Sequence, residues 1–180
     1  MVLSNVVYVL DASAILHTNT LQIFDRPCYT TPRVTQEVLD DKSRTILEVT
    51  MIQRRLAIVE PSEEYLKRAT NAAKATGDIL RLSDVDIEVI ALALQIKDQG
   101  LEPVVITDDY AIMNVLRYLG IQYRPLRTRG IREYRKWLIY CPACGKVFHE
   151  KRDVCDNCGS PLIKRKVVKR KRVYGAGGGI

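Results

Sequence analysis

No apolar stretch in this 180-residue chain approaches the roughly 18 residues that a membrane-spanning helix needs. The start, Met-Val-Leu-Ser-Asn-Val-Val, lacks the basic region and cleavage site of a secretory signal. An intracellular protein is therefore expected. Histidine is scarce, with only His17 and His149. No Ser-His-Asp set and no Gly-rich phosphate-cradling loop accompany them, which leaves little room for triad or P-loop chemistry. Cysteine is also sparse, but four of the five residues fall within 141–158. In a reducing compartment that clustering argues for metal rather than disulfides. The remaining composition is ordinary: 47% hydrophobic and 27% charged residues exclude wholesale disorder. The length suits one domain of about 100–150 residues and something smaller.

Charge is unevenly divided. Residues 1–123 carry 12 basic and 17 acidic side chains, a net −5, whereas residues 124–180 carry 16 basic and 4 acidic, a net +12. An acidic body joined to a strongly basic end points to a polyanionic partner, most often nucleic acid. The plainer alternative is a solvated tail that aids solubility.

The body reads as α/β. Val6–Leu10 is a continuous apolar, β-branched run suited to a strand buried on both faces. Residues 12–16 look helical, and Tyr29-Thr30-Thr31 forms a second short strand. Pro32 suits a helical first turn with Thr31 as its cap, and the apolar rhythm from Val34 to Ile52 predicts one helix through about residue 55. A third strand covers 56–59. Ser62 caps a helix reaching Thr76, and Ser83 caps another over 84–99 with an apolar face of Val85, Val89, Ile90, Leu92, Ala93 and Ile96. Strand 103–107, a helix from Asp108 to Leu119 and strand 121–123 complete the unit. Strands alternating with helices predict a mainly parallel sheet covered on both faces, with ligands beyond the carboxyl ends of its strands.

Acids gather at that edge. Asp11 follows the first strand and Asp108 and Asp109 follow the fourth. Asp84 and Asp86 open the preceding helix, and Glu37 lies a turn and a half into the helix after the second strand. Clustered carboxylates repel and need a cation, and all-oxygen donors favour Mg²⁺ or Mn²⁺. Singly, each has a plainer role: Asp84 and Asp86 favoured by the helix dipole, Asp108 as a cap, Glu37 as a solvated helical residue. Asp11 is hardest to explain so, because an acid ending a buried strand rarely serves packing.

The segments around Asp11 (Val-Tyr-Val-Leu-Asp-Ala-Ser-Ala), Glu37 (Thr-Pro-Arg-Val-Thr-Gln-Glu-Val), Asp86 (Leu-Ser-Asp-Val-Asp-Ile-Glu-Val) and Asp108-Asp109 (Val-Val-Ile-Thr-Asp-Asp-Tyr-Ala) resemble the four signature segments of PIN-domain nucleases. The resemblance implies a doubly wound sheet of order 3-2-1-4-5 and a metal-dependent phosphodiesterase acting on RNA. It places the catalytic, metal-holding acids at Asp11, Glu37, Asp86, Asp108 and Asp109, and leaves Asp84 extra.

Cys141-Pro-Ala-Cys144-Gly and Cys155-Asp-Asn-Cys158-Gly are two matched knuckles. Four thiolates so spaced suit a closed tetrahedral Zn²⁺ site, and the glycines let the chain turn back toward the sulfurs. A redox pair is the alternative. Residues 137–163 are too few to build a core, so the metal must supply folding energy. His149 is then a surface residue and Cys28 a small core residue. Residues 124–136 form a basic linker with Arg124, Arg127, Arg129, Arg132, Arg135 and Lys136. Residues 164–180 form a flexible basic tail whose Lys164, Arg165, Lys166, Lys169, Arg170, Lys171 and Arg172 suit RNA phosphates. Tyr134, Trp137, Tyr140 and Phe148 offer faces for unpaired bases, although Trp137 and Tyr140 also suit packing.

Taken whole, with Thr107-Asp-Asp-Tyr-Ala-Ile-Met-Asn-Val-Leu116 and the ribbon soon after it, the chain resembles the Nin-one-binding family of rRNA maturation endonucleases, in a compact archaeal form. That implies cleavage at the 3′ end of the small-subunit (16S) rRNA precursor on the pre-small ribosomal subunit, in a cytoplasmic setting. The products implied are a 3′-hydroxyl and a 5′-phosphate. A toxin-type PIN ribonuclease acting on mRNA or tRNA, and a noncatalytic RNA-binding scaffold, are the competing readings.

Overall fold

A computed structural model of the protein describes residues 5–17, 26–39, 41–126, 136–148 and 152–167, with the backbone alone at 17, 136, 137 and 164–167. The elements of the body are β1 (Val6–Leu10), α1 (Ala12–His17), β2 (Cys28–Thr30), α2 (Pro32–Glu37), α3 (Asp41–Ile52), β3 (Leu56–Ile58), α4 (Glu63–Thr76), α5 (Asp84–Asp98), β4 (Glu102–Ile106), α6 (Tyr110–Leu119) and β5 (Gln122–Arg124). The five strands form a parallel sheet of order β3-β2-β1-β4-β5. The order reverses direction at β1, so the switch point lies between β1 and β4. Right-handed crossovers then place α1–α3 on one face and α4–α6 on the other, and the helices do contact one another in those two groups.

The core is dense where the switch point needs it. Val9, Leu10, Val105 and Ile106 on β1 and β4 are fully buried, each contributing about 1–3 kcal/mol by its removal from water. The apolar face expected on α5 is buried at Val89, Ile90, Leu92, Ala93 and Ile96, and burial extends beyond it. Ala91 and Leu94 are buried as well, because α4 and α6 pack beside this helix while β1 and β4 lie beneath it. A helix central to its layer has little solvent face to keep polar.

Other expectations shift for local reasons. The single helix over 32–55 is two, because Val38 turns extended (φ −83°, ψ 94°). No Gly or Pro marks that break, and the apolar spacing runs in phase across it. Thr31 caps α2 as expected, its Oγ1 accepting from the Val34 N–H. Ser62 stands at the α4 cap position but makes no side-chain cap bond; its own N–H donates to Gln95 Oε1 on α5 at 2.9 Å. α6 starts at Tyr110 rather than Asp108, and its cap is Asp109, whose Oδ1 accepts from the Ala111 and Ile112 N–H groups. A single 3₁₀ turn at Asp78–Leu80 was not expected.

The second unit is an antiparallel sheet of order β7-β6-β8, from β6 (Lys136–Tyr140), β7 (Val147–Phe148) and β8 (Ile163–Val167). Its boundaries are wider than the expected 137–163. Lys164, Arg165 and Lys166 belong to the β6–β8 ladder, so the reading of a flexible tail from residue 164 is corrected for these positions. Lys169, Arg170, Lys171, Arg172 and the glycine-rich end lie outside the described residues, as do Arg127, Arg129, Arg132, Tyr134, Arg135 and His149. The ribbon core consists of Ile139, Cys141, Phe148 and Cys155, with Leu162 and, from the 3₁₀ turn of the body, Leu80 packed against it.

Candidate active site and metal centre

The register of the central strands brings the first acid and the fourth segment together. Leu10 pairs with Ile106, and the Asp11 N–H donates to the Ile106 carbonyl, so Asp11 and Thr107 leave the sheet side by side at the switch point. Asp11 is only 6% exposed. Its Oδ2 accepts from Thr107 Oγ1 at 2.7 Å and Ser13 Oγ at 3.0 Å, and its Oδ1 accepts from the Ala12 N–H at 2.7 Å. The same two hydroxyl oxygens reach onward. Thr107 Oγ1 accepts from the Asp109 N–H at 3.1 Å, and Ser13 Oγ accepts from the Asp108 N–H at 3.2 Å. Two hydroxyls thus tie the Asp108-Asp109 backbone to the Asp11 carboxylate. Neither Thr107 nor Ser13 was singled out as a site residue from the sequence. The available signal was a hydroxyl within two residues of an acid at a strand end, a pattern that also serves ordinary turns.

Asp11, Glu37 and Asp86 carry raised carboxyls, and the Asp109 charge acts on Asp11 and Asp86. Burial pushes the Asp11 carboxyl above its ordinary range; its three donors pull it back, and the Asp109 charge adds to the rise. Glu37, exposed at the end of α2, is raised as well, first by partial desolvation and then by the charges of Asp86 and Asp11. Asp86 is raised by burial and by Asp11 and Asp109, against the pull of the Ser83 N–H and hydroxyl donated to its Oδ2. The Asp86 N–H in turn donates to Ser83 Oγ at 3.2 Å, which with the Ser83 N–H bond completes a capping box, so the helix-dipole role read for Asp86 and its place among the acids coexist. Asp108 is turned elsewhere: its Oδ1 accepts from the Leu126 N–H at 3.0 Å, where the chain leaves the body. The Asp84 side chain is 92% exposed, and among the described residues its one ion pair is with Arg33 at 3.9 Å.

The chemistry of this set fits a hard divalent cation. Carboxyls lifted by burial and mutual repulsion gain when a cation replaces their protons, and every donor is oxygen. The acids do not form a closed cage. Among the described residues, the four thiols are the one group of His, Cys, Asp or Glu ligand atoms gathered closely enough to hold an ion as they stand. Mg²⁺ binds with one or two carboxylates and keeps several waters, so an open set suits it.

The thiol site fits zinc more tightly. The four sulfurs lie within 4.8 Å of one another. Cys141 Sγ and Cys158 Sγ are 3.3 Å apart, and Cys144 Sγ and Cys155 Sγ 3.6 Å. These separations are far beyond a disulfide's roughly 2.05 Å and near the roughly 3.8 Å edge of a tetrahedron with Zn–S of about 2.3 Å. The two knuckles repeat one backbone pattern. Cys141 N–H donates to the Lys146 carbonyl and Gly145 N–H to the Cys141 carbonyl; Cys155 and Gly159 do the same with Ser160 and Cys155. Gly145 (φ 75°) and Gly159 (φ 71°) occupy the left-handed region that makes this turn. Donation from Ser160 pulls the Cys158 thiol down to about 6, while burial pushes Cys141 up to about 11. Thiols so divided share protons that a bound cation would displace. Cys28, as expected, is a buried strand residue.

One aromatic reading is corrected. Phe148 is 7% exposed within the ribbon core, with Lys146 and Arg152 over its ring at 5.4 and 5.1 Å. Those two cations are held together by Asp156, and the ring has no face left for a base.

Comparison with known proteins agrees with both halves. The model of the PIN domain of ribonuclease matches residues 8–96, a span that holds Asp11, Glu37 and Asp86 and stops before Asp108. The model of the adenylate kinase active-site lid matches residues 139–166, the ribbon. Endoribonuclease Nob1 of Pyrococcus abyssi is 40% identical over 166 residues, 91% of this chain and 94% of that protein. Endoribonuclease Nob1 of Methanothermobacter thermautotrophicus is 39% identical over 171 residues, 92% of this chain and 98% of that protein. Ribonuclease VapC1 of Thermoplasma acidophilum is 36% identical over 165 residues, 92% of this chain and 80% of that protein.

Proposed function

The chain belongs to the Nob1 family of endoribonucleases, and on that premise we propose that it cuts the precursor of the small-subunit rRNA to form the 3′ end of 16S rRNA, on the pre-small ribosomal subunit. It is an endoribonuclease with a PIN domain. The observation that carries the finer reading is the convergence of Asp11, Glu37, Asp86 and Asp109 at the switch point, beside a ribbon whose β8 opens the basic end. A precursor rRNA is long and polyanionic, and a +12 end on a −5 body divides binding from chemistry in the way such a substrate demands.

Asp11, Glu37, Asp86 and Asp109 would hold the divalent cation, Mg²⁺ or Mn²⁺, with Asp108 at the margin toward the linker. Bound there, the cation supplies Lewis acidity toward the phosphate and the attacking water. Thr107 and Ser13 fix the Asp11 carboxylate and the following loop, so the acids need little rearrangement when RNA arrives. Water adds to phosphorus, and one of its protons ends on the departing O3′. The P–O3′ bond breaks, leaving a 3′-hydroxyl on one fragment and a 5′-phosphate on the other. Cys141, Cys144, Cys155 and Cys158 would hold Zn²⁺ as a structural ion, since four protein ligands leave no open position.

The Thermoplasma relative named as a VapC ribonuclease keeps the toxin-type reading in play, because its match covers so much of the chain that it runs through the ribbon. One assay separates the two. Purified protein with Mn²⁺ is offered a precursor-rRNA 3′-end fragment, a tRNA and an mRNA. Discrete cleavage confined to the rRNA fragment is expected. Equal or preferred cutting of tRNA or mRNA would overturn the rRNA assignment, and no cutting of any would return the chain to a binding role.

A further inference from the structure

Arg33 lies beside the acids without being one of their ligands. It is the second residue of α2, one helical turn before Glu37 and on the same face. Its Nε is 3.1 Å from Glu88 Oε1, and one terminal nitrogen is 3.9 Å from Asp84 Oδ2, so it reaches α5 on either side of Asp86. Its side chain is 53% exposed, that of Glu88 only 12%. The second Glu88 oxygen, Oε2, is buried and meets no hydrogen-bond partner among the described residues.

A largely buried carboxylate with one oxygen against a half-exposed guanidinium and the other without a partner among the described residues is a poor device for stability, because desolvation offsets most of the attraction. It is an effective way to aim an arginine. With Nε turned to Glu88, four of the five N–H donors sit on the terminal nitrogens, and 3.9 Å to Asp84 is too long for a hydrogen bond. That outward fork matches a phosphate bidentately. The need for it is electrostatic: the carboxylates already lift one another's proton affinity, and RNA brings further negative charge to the same edge.

We propose that Arg33, anchored by Glu88, binds a backbone phosphate of the RNA adjacent to the cut and sets the register of the strand over the carboxylates. The proposal rests on the endoribonuclease reading of this site.

The test uses the full chain with Mn²⁺ and a short single-stranded RNA that the wild type cleaves. Arg33→Ala should raise KM about tenfold while kcat falls less than threefold, in line with the loss of one charge-assisted contact. The slope of log affinity against log salt, read by fluorescence anisotropy, should flatten by about 0.7, the share of one phosphate. Arg33→Lys should recover the salt slope but only part of KM, because a point charge lacks the fork. Unchanged KM and slope with a lower Tm would make the pair a fold contact and overturn the proposal. A collapse of kcat at constant KM would overturn it too, placing Arg33 with the reacting groups. If Arg33→Ala does not fold, Arg33→Lys decides: raised KM at wild-type Tm supports the fork, and wild-type KM refutes it. Should the wild type cut no RNA at all, the functional reading fails, while the anisotropy slopes still decide whether Arg33 holds a phosphate.

Discussion

The molecule brings together two sets of candidate metal ligands by opposite means. The thiol quartet comes from two knuckles within residues 141–158, each closed by its own backbone bonds, and the sulfurs are already gathered. The carboxylate set spans residues 11 to 109 and exists only because β1 and β4 are neighbours and α2 ends and α5 begins beside them. The unit with the preformed site has the small core, and the unit with the open site has the large one. A closed site can hold a small fold together, because binding energy is folding energy. An open site burdens its fold with like charges, so it needs a core that stands without the ion and it keeps room for substrate.

The sharpest break in that contrast should be Cys141→Ser. Structural zinc is worth on the order of 10 kcal/mol to a small metal-folded unit, so the substitution should release zinc and unfold the ribbon while the body keeps its own unfolding transition. Metal analysis should fall from about one zinc per chain to none. Retention of the ion, or loss of both units together, would show that the two are not independent; Leu80 against the ribbon core is where such coupling would arise.

Next in size is Asp11→Asn. It removes the most buried acid of the set and should cut cleavage at least a hundredfold, more than the loss of an outer-shell partner costs, with RNA binding retained. Undiminished turnover by the metal-loaded variant would defeat the assignment. The same variant tests the charge burden. Folded Asp11, Glu37 and Asp86 hold their protons more tightly than an unfolded chain does. The contribution of these three groups to the stability of metal-free protein is therefore full below the ordinary carboxylate range and is lost as pH rises from about 4 through the raised folded values, opposite in sign to that of the lowered Asp98 and Asp156. Asp11→Asn should weaken that decline in a thermal melt series, and a divalent cation should weaken it in the wild type.

Thr107→Val is expected to be milder. It keeps shape but leaves the Asp11 Oδ2 and the Asp109 N–H without their shared hydroxyl at a fully buried position. A stability loss of about 1–3 kcal/mol should follow, with weaker dependence of melting on Mn²⁺. Wild-type metal response in this variant would show that Asp109 is placed by its helix cap alone.

The smallest effect concerns charge. Because Lys164–Lys166 lie in β8, a clean test ends the chain after Val167 and removes Lys169, Arg170, Lys171 and Arg172. Up to four phosphate contacts at about 0.7 each would flatten the salt slope by as much as about 3, with cleavage at saturating RNA preserved. An unchanged slope would move the contact to the linker or the ribbon.

Much of this was legible along the chain, and the reason lies in range. Strand runs such as Val6–Leu10, caps such as Thr31 and Ser83, and the two CxxC knuckles are local patterns, dictated by side-chain period, backbone donors and thiolate spacing within a few residues. They were readable to within a residue or two, and the alternation of elements implied the parallel sheet. What needed the third dimension was every contact between distant segments. The break at Val38 carries no Gly or Pro and keeps the apolar phase, so only the extended backbone there reveals it. Phe148 looked available to bases until the ribbon closed around it. Asp108 and Asp109 are adjacent and alike in sequence, yet one caps α6 beside Asp11 and the other turns to Leu126, because a two-residue step off a strand end sends successive side chains in different directions. The sequence by itself determined which acids and thiols the protein possesses and on which elements they ride. Tertiary structure alone decided which carboxylates share a field, through strand register and the two hydroxyls that fasten one loop to another across the switch point.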